Sequence, residues 1–422
     1  MTTPTAAVPA RAAPLSERDR RRAEALPAAA LLVALSAVAP LSVDMFLPSM
    51  PALRAEFGAS EALLQLAVTL FIISFAGSQL VYGPASDRLG RRPVLLVGMA
   101  LFTAGGLLAL FAQSAEMLLA GRVLQGLGGG AGPALAQAIV LDVYGRERAA
   151  RVLSYMAIAL PLAPAIAPII GGGLHEAFGW HAVFVTLTAL GVLLAVLYRL
   201  MLPETNVGRG AGPRGIAGLA ADYRTVLGNR TYVGYALVMG LMFAGQLVFI
   251  SSSSFVLIDE LGLNPQVYGL SFGFVALGLM AGATLSSRLT GRVSGGQLVL
   301  VGAATAAASS LLMAAVMWAG GAHVLTLLTP MFVTALGLGL TRPSAMAGAL
   351  VPFPHIAGLA SSVLGFSTML VATTYNIAYG ALVAPSATAL ATGVWLAVTA
   401  GLVAVLLLRP GRVARTAASV AR

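Results

Sequence analysis

The 422-residue chain contains no cysteine and no lysine, and charged residues of any kind make up only 9% of it. Each shortage removes a class of chemistry. Without cysteine there is no disulfide framework, no thiol nucleophile and no thiolate metal site. Without lysine there is no Walker A lysine, kinase lysine or Schiff base, so ATP hydrolysis is not the expected source of energy. Water-soluble domains carry about a quarter charged residues. A chain that is instead 58% hydrophobic belongs in lipid. Its formal charge of +10 comes from arginine alone, and the placement of those arginines decides what the charge means.

Apolar runs of about 20 residues cross the roughly 30 Å of bilayer hydrocarbon. Twelve are present, read as 26–47, 62–82, 93–112, 117–140, 150–172 and 180–202, then 234–256, 267–287, 297–318, 324–350, 357–383 and 387–408. They are too long, and too little alternating, for a transmembrane barrel. Arginine is retained on the cytoplasmic side during insertion, and here it collects before span 1 and after even-numbered spans. The group before span 1 is Arg11, Arg18, Arg20, Arg21 and Arg22. Arg88, Arg91 and Arg92 follow span 2, Arg146, Arg148 and Arg151 follow span 4, and comparable groups follow spans 6, 8 and 12, making 22 of the 25. Arg54 alone falls on the opposite side, and Arg122 and Arg342 lie within spans. Both termini are therefore expected in the cytoplasm, and the charge reports topology rather than a nucleic-acid partner. Ala37-Val38-Ala39 has the form of a signal cleavage site, but Pro40 follows it and the apolar run continues to Leu47, so no cleavage is expected.

The stretch 203–233, with Gly208, Gly210, Gly212, Pro213 and several arginines, reads as a cytoplasmic linker. It separates a six-span half at 26–202 from another at 234–408, with a disordered leader at 1–25 and a tail at 409–422. The halves repeat. Ala85-Ser86-Asp87-Arg88-Leu89-Gly90-Arg91-Arg92 after span 2 aligns with Leu285-Ser286-Ser287-Arg288-Leu289-Thr290-Gly291-Arg292 after span 8, and Glu56-Phe57-Gly58 with Glu260-Leu261-Gly262. Parallel repeats of this kind place a substrate site between two bundles near mid-bilayer, which is a transporter architecture.

Several residues then carry a family resemblance. The segment Gln79-Leu80-Val81-Tyr82-Gly83-Pro84-Ala85-Ser86-Asp87-Arg88-Leu89-Gly90-Arg91-Arg92-Pro93 resembles the loop 2-3 motif of the major facilitator superfamily. With Ser42-Val43-Asp44-Met45-Phe46-Leu47-Pro48 in span 1, Arg122-Val123-Leu124-Gln125-Gly126 in span 4 and Asp142-Val143-Tyr144 beyond it, the chain is similar to the Bcr/CflA group of bacterial drug exporters. The resemblance implies an all-α membrane protein of twelve transmembrane helices in two six-helix bundles. It also implies a proton-driven antiporter of the bacterial cytoplasmic membrane that expels amphiphilic drugs of the chloramphenicol or bicyclomycin kind.

Asp44 is the one carboxylate read within a span interior, in the outer half of span 1. An ionisable group at that depth is costly and is by default functional, and desolvation would poise it to exchange a proton. The competing reading places it among the outer headgroups, merely bending the helix beside Pro48. Arg122 cannot carry the proton, because arginine stays charged; the resemblance assigns it a coupling role, with Gln125 on the same face. In the loop 2-3 motif, Gly83 and Gly90 are expected to make tight turns and Arg88, Arg91 and Arg92 to hold anionic headgroups. Asp87, by the family's pattern, forms an ion pair between bundles that breaks in one state; Ser287 at the repeated position makes that switch one-sided. Ala163, Ala167, Pro168, Gly171 and Gly172 in span 5 resemble the antiporter motif, with alanine at two positions usually glycine.

For the cavity wall, the spans facing the interface offer Met45, Phe46, Gln125, Gln137, Tyr155, Phe243, Gln246, Phe249, Phe332 and Asn376. Methionine and aromatic side chains suit varied amphiphiles, and a single interior carboxylate favours neutral or weakly charged drugs over dications. No cofactor is expected beyond the proton gradient, and the chain is read as a monomer whose partners are drug, protons and lipid. A transporter of an ordinary metabolite is the alternative the fold permits; no clustered constellation supports an enzyme. Gly126-Leu127-Gly128-Gly129-Gly130-Ala131 imitates a dinucleotide loop but lies in an apolar helix and reads as a packing run. His175-Glu176 lacks the second histidine of a zinc motif, since the next is His181. Arg342, beside Pro343, receives no role from sequence.

Overall fold

A computed structural model describes residues 26–159, 162–206, 216–353, 356–384 and 386–408, and they are almost entirely helical. In the first half α1 (Leu26–Asp44), a 3-10 turn (Leu47–Ser49) and α2 (Met50–Phe57) are followed by α3 (Glu61–Leu89), α4 (Arg91–Leu110), α5 (Ala115–Gly129), α6 (Ala131–Ala159), α7 (Leu162–Phe178) and α8 (His181–Met201). A connecting helix α9 (Ile216–Gly228) leads to α10 (Arg230–Ser254), a π turn (Phe255–Glu260), α11 (Pro265–Leu289), α12 (Gly295–Trp318), α13 (Val324–Leu350), α14 (Ala357–Leu382) and α15 (Ala387–Leu408). Short polar side chains start many of these helices. Ser60, Ser114, Asn229 and Asn264 each accept a bond from a backbone N–H three residues on, and Ser294 forms a capping box with Gln297, satisfying donors the first turn leaves open.

Ten helical segments among the described residues are long and apolar enough to cross a membrane. They coincide with ten of the twelve runs read from sequence. The other two, spans 4 and 5, are divided differently: α5 stops after 15 residues at Gly129, α6 continues through the place where a connection was expected, and α7 has 17 residues. Glycine explains the first division, since Gly126, Gly128 and Gly130 lie against the backbone or side chains of α3 and α4 and a methyl group there would clash. The stretch is thus a packing run, as its apolar surroundings imply.

Span 1 is longer than the hydropathy pattern suggests. The apolar segment extends from Ala28 to Phe57, because Pro48 and Pro51 interrupt the helix without ending it and Arg54 and Glu56 hide its last two turns from a hydropathy window. The linker is also more structured than expected, with α9 packed against α10 and α14; residues 207–215 lie outside the described residues, as do the leader at 1–25 and the tail at 409–422. Backbone geometry repeats between the halves. Gly58 and Gly262 both take left-handed φ (59° and 72°) where the first span of each half ends, and Gly90 and Gly291 (101° and 88°) follow the second.

Leucines and valines of α4, α8, α12 and α15 remain exposed, among them Val97, Leu200, Leu312 and Leu407, as expected of surfaces solvated by lipid rather than water. Polar groups meet inside. The halves touch chiefly where α7 packs on α11 and α3 on α14. Gln65 donates to Ser252 (3.3 Å), Asn376 to Thr69 (3.1 Å) and Arg54 pairs with Asp259 (3.1 Å), all toward the arginine-poor end. The molecule is therefore closed at that end.

Candidate functional site

Asp44 is the last residue of α1, sixteen residues in from Ala28 and thirteen short of Phe57 on the extended span. That places it just past the middle of span 1, nearer mid-span than the hydropathy pattern suggests. The difference follows from the added helix α2. Pro48 has no N–H to continue the α-helical ladder to the Asp44 carbonyl, so the chain turns through Met45 and Phe46 into the 3-10 turn, and the carboxylate stands at the interruption. Broken helices of this kind line binding sites in transporters. Asp44 is 5% exposed and forms no hydrogen bond or ion pair with any described residue. Tyr268 of α11, in the other half, lies within its electrostatic reach and shares a hydrogen bond with Ser253 (2.9 Å). The acid is thus buried within electrostatic reach of the other half.

Arg122 does not join it. Its guanidinium is fully buried within the first half, donating to Ser42 Oγ (3.0 Å), Gln125 Oε1 (2.9 Å) and the Ala67 carbonyl (3.4 Å). Phe46 and Phe71 cover it, their ring centres 4.8 and 4.4 Å from its Cζ. Two such aromatic faces stabilise a desolvated cation by about 1–2 kcal/mol each. Ser42 and Phe46, on either side of Asp44 in sequence, both meet this guanidinium, whereas Asp44 forms no bond with it. Arg122 thus holds the segment that carries the acid without touching the acid. Phe46 and Gln125, expected in a cavity wall, belong to this grip instead, and Phe46 also packs on Phe184 (5.8 Å).

The span 5 motif has a direct structural reading. A Cβ at Gly171 would stand 2.1 Å from the Met45 carbonyl oxygen, and one at Gly172 would stand 2.3 Å from that of Pro265. Gly269 on α11 answers with the same closeness, 2.3 Å, to the Pro168 carbonyl. Ala163, Ala167 and Pro168 are buried beside them. These residues therefore bring the backbones of α7 and α11 together, and one of them touches the turn that follows Asp44.

At the arginine-rich end the loop 2-3 motif builds a network inside the first half. Arg91 reaches Asp87 (2.5 Å), Ser86 (2.6 Å) and Asp142 (3.1 Å). Burial pushes the Asp142 carboxyl above the ordinary range, and its bond to Arg91 works against that. Asp87 pairs with Arg91 of its own half, so the expected pairing between bundles is not made in this state. Arg88 is exposed, and Arg92 donates to the Arg199 carbonyl (2.7 Å). Gly83 is not a turn but an interior residue of α3 with open space about it; Gly90 alone separates α3 from α4, at φ 101° and ψ 154°. Gly90→Ala is expected to lower stability by about 1–3 kcal/mol, since that backbone region is essentially glycine's own, whereas Gly83→Ala is expected to be neutral or slightly stabilising. Thermal unfolding of the two purified variants checks the contrast.

Sequence reasoning missed several members. Glu204 accepts from the backbone N–H groups of Arg91 (2.8 Å) and Arg92 (3.1 Å), capping α4 from 112 residues away in the chain, and Asn206 binds the Asp87 carbonyl (2.8 Å). Both had been absorbed into a linker. Gln65, Thr69, Ser251, Ser252 and Tyr268 were also overlooked, because a lone hydroxyl or amide in an apolar helix gives no pattern. Asn376, named for the cavity, instead ties the seam, accepting from Ser251 (3.0 Å) as it donates to Thr69.

Of the remaining cavity candidates, Met45 and Phe249 are buried, Phe249 against Phe272 (5.7 Å). Phe332 stacks on Phe274 (4.8 Å) and Gln137 is exposed. Tyr155 belongs to α6, and its side chain lies outside what is described. Phe243 and Gln246 do border a recess in the second half. Among the described residues no group of His, Asp or Glu could hold a metal ion; His175 meets Ser49 (3.2 Å) and His323 caps α13.

Comparison with known proteins agrees with this geometry. Residues 32–374 match the model of the Major Facilitator Superfamily. The chain is 30% identical over 335 residues to multidrug resistance protein D of Escherichia coli (strain K12), covering 79% of this chain and 84% of the relative. It is 28% identical over 340 residues to a bicyclomycin resistance protein homolog of Haemophilus influenzae, covering 78% and 83%. A crystal structure of a D-xylose-proton symporter superposes with a TM-score of 0.73 at 16% identity, covering 91% of this chain and 97% of that one, a likeness of fold alone.

Proposed function

Because the chain belongs to the major facilitator superfamily and is a multi-pass membrane transporter of the drug-resistance type, we propose that it exports amphiphilic antibiotics across the bacterial inner membrane in exchange for protons. Twelve spans with both termini in the cytoplasm fit the arginine distribution, and the seam closed at the arginine-poor end is then a state open toward the cytoplasm. Asp44 is the proton site in this reading. The observation that carries it is a buried acid near mid-span, bonded to no described residue of its own half and within electrostatic reach of Tyr268 across the seam between two halves that must separate for transport.

Alternating access moves that acid between surroundings. With the outer seam shut, Asp44 is buried within electrostatic reach of Tyr268; when it opens, the same carboxylate meets water from the other side and exchanges its proton. Arg122 holds Ser42, Phe46 and the α3 backbone together, so the interruption at Asp44 keeps its shape as the halves rock. Asp87 and Arg91 are then free to pair across the halves once the inner end closes. The transporter works as a monomer, with the proton gradient as its energy and no bound cofactor. Addition of chloramphenicol or bicyclomycin to purified protein in weakly buffered detergent solution should release protons and acidify the medium. Release on addition of sugars or amino acids but not drugs would assign it a metabolite instead.

A further inference from the structure

Arg342 remains unexplained by proton coupling, by topology or by the loop motif. It sits eight residues before the end of α13, about 12 Å along a helix axis, where a guanidinium is expensive unless something compensates it. It borders the recess in the second half together with Met239, Met242, Phe243, Gln246 and Thr368. The recess lies among α10, α11, α13 and α14, of which α10, α11 and α14 meet the first half. Arg342 is accessible and makes no hydrogen bond or ion pair with any described residue. No acidic side chain lines the recess.

A second, independent feature points the same way. Thr368 is 6% exposed and its hydroxyl is buried without a partner, an arrangement that folded proteins generally avoid because an unsatisfied buried polar atom is costly. The cation, the orphan hydroxyl and Gln246 border one recess from three helices, α13, α14 and α10, together with two buried methionines and a partly buried phenylalanine, side chains that adapt to varied apolar shapes. An arginine that merely snorkelled to headgroups would not need this hydroxyl beside it.

We propose that Arg342, with Thr368 and Gln246, forms a subsite for the anionic head of a weakly acidic amphiphile whose apolar body rests on Met239, Met242 and Phe243. The inference rests on the transporter reading above by naming a substrate class for it, yet it is tested by binding rather than by transport. An anionic lipid carries the same chemistry, an acidic head on an apolar body, so the source needs its own arm.

The test uses radiolabelled 1-naphthylacetate and its uncharged analogue 1-naphthylacetamide, measured by equilibrium binding to the purified full-length chain. The acid is expected to bind about tenfold more tightly than the amide, a difference of about 1.4 kcal/mol. Arg342→Gln should erase that preference while leaving amide affinity within about twofold, and Arg342→Lys should retain part of it. Retained amide binding also reports that the variants fold. Displacement of the acid by short-chain phosphatidylglycerol from the wild type identifies a lipid headgroup as the source, and failure to displace it identifies a free solute. Equal affinities of acid and amide in the wild type, or equal loss of both in Arg342→Gln, would overturn the subsite. Neither result depends on whether protons drive export.

Discussion

Asp44→Asn, introduced into the full chain, is expected to insert and fold as the wild type does and to leave cells accumulating drug like those lacking the transporter. Asparagine keeps the shape and most of the hydrogen-bonding capacity of the acid. What it cannot do is gain and lose a proton. Because Asp44 makes no bond to a described residue, its replacement removes no structural contact, and the loss is therefore confined to coupling. Asp44→Glu should recover part of the transport, since it restores a titratable group on a longer arm. The decisive measurement pairs drug accumulation in cells with drug-induced proton release from the purified variant. Normal proton release from Asp44→Asn would remove the acid from the mechanism, whatever happened to accumulation.

The second large effect is expected at the seam. Gly269 brings α11 so near α7 that a methyl carbon would stand 2.3 Å from the Pro168 carbonyl oxygen, and backbone cannot yield as a flexible side chain does. Gly269→Val should therefore cost the closed arrangement about 1–3 kcal/mol, the usual penalty of overpacking. At 1.4 kcal/mol per tenfold, that shifts the balance between closed and open seams by about five- to 150-fold. The native chain has no cysteine, so a single Asn376→Cys at the seam reports its opening by reaction with a maleimide. Labelling should accelerate by a comparable factor in the Gly269→Val background, and transport should fall. An unchanged labelling rate would show that this close approach does not control the outer seam.

The two predictions concern different devices that meet at one place. Gly171 lies against the Met45 carbonyl, and Gly172 and Gly269 lie in the contact between α7 and α11. The seam contact thus lies one residue from the glycine that touches the backbone immediately after Asp44. This gives the small residues of span 5 a concrete role: they set how closely the second half can approach the interruption that presents the acid.

Some of this was legible before any coordinates. The apolar runs, arginine alternation and the loop 2-3 motif were local or periodic signals, and they identified the membrane class and family. Asp44 stood out because one carboxylate among apolar residues is conspicuous. Its span is longer than the sequence suggests, since Arg54 and Glu56 lower the hydropathy of a segment that nevertheless stays helical. Gly83 was misread because a glycine beside a proline in sequence looks like a turn, whereas α3 carries both through as helix. Glu204, Gln65, Thr69, Ser251 and Ser252 could not have been found, as each acts on a partner more than a hundred residues away.

By itself, then, the sequence determined the solvent and the class of molecule: too few charges to live in water, long apolar helices, and arginines arranged so that insertion has one orientation. It also singled out the acid. Only the tertiary structure decided what surrounds that acid, leaving it unbonded to Arg122 and within electrostatic reach of Tyr268 of the other half, and setting Arg342 on the same recess as an unsatisfied hydroxyl. The reason is physical. Transfer into lipid depends on summed composition, which any stretch of chain reports locally, whereas pairing and its absence depend on which helix faces meet, and those faces are brought together by glycines packed against distant backbone.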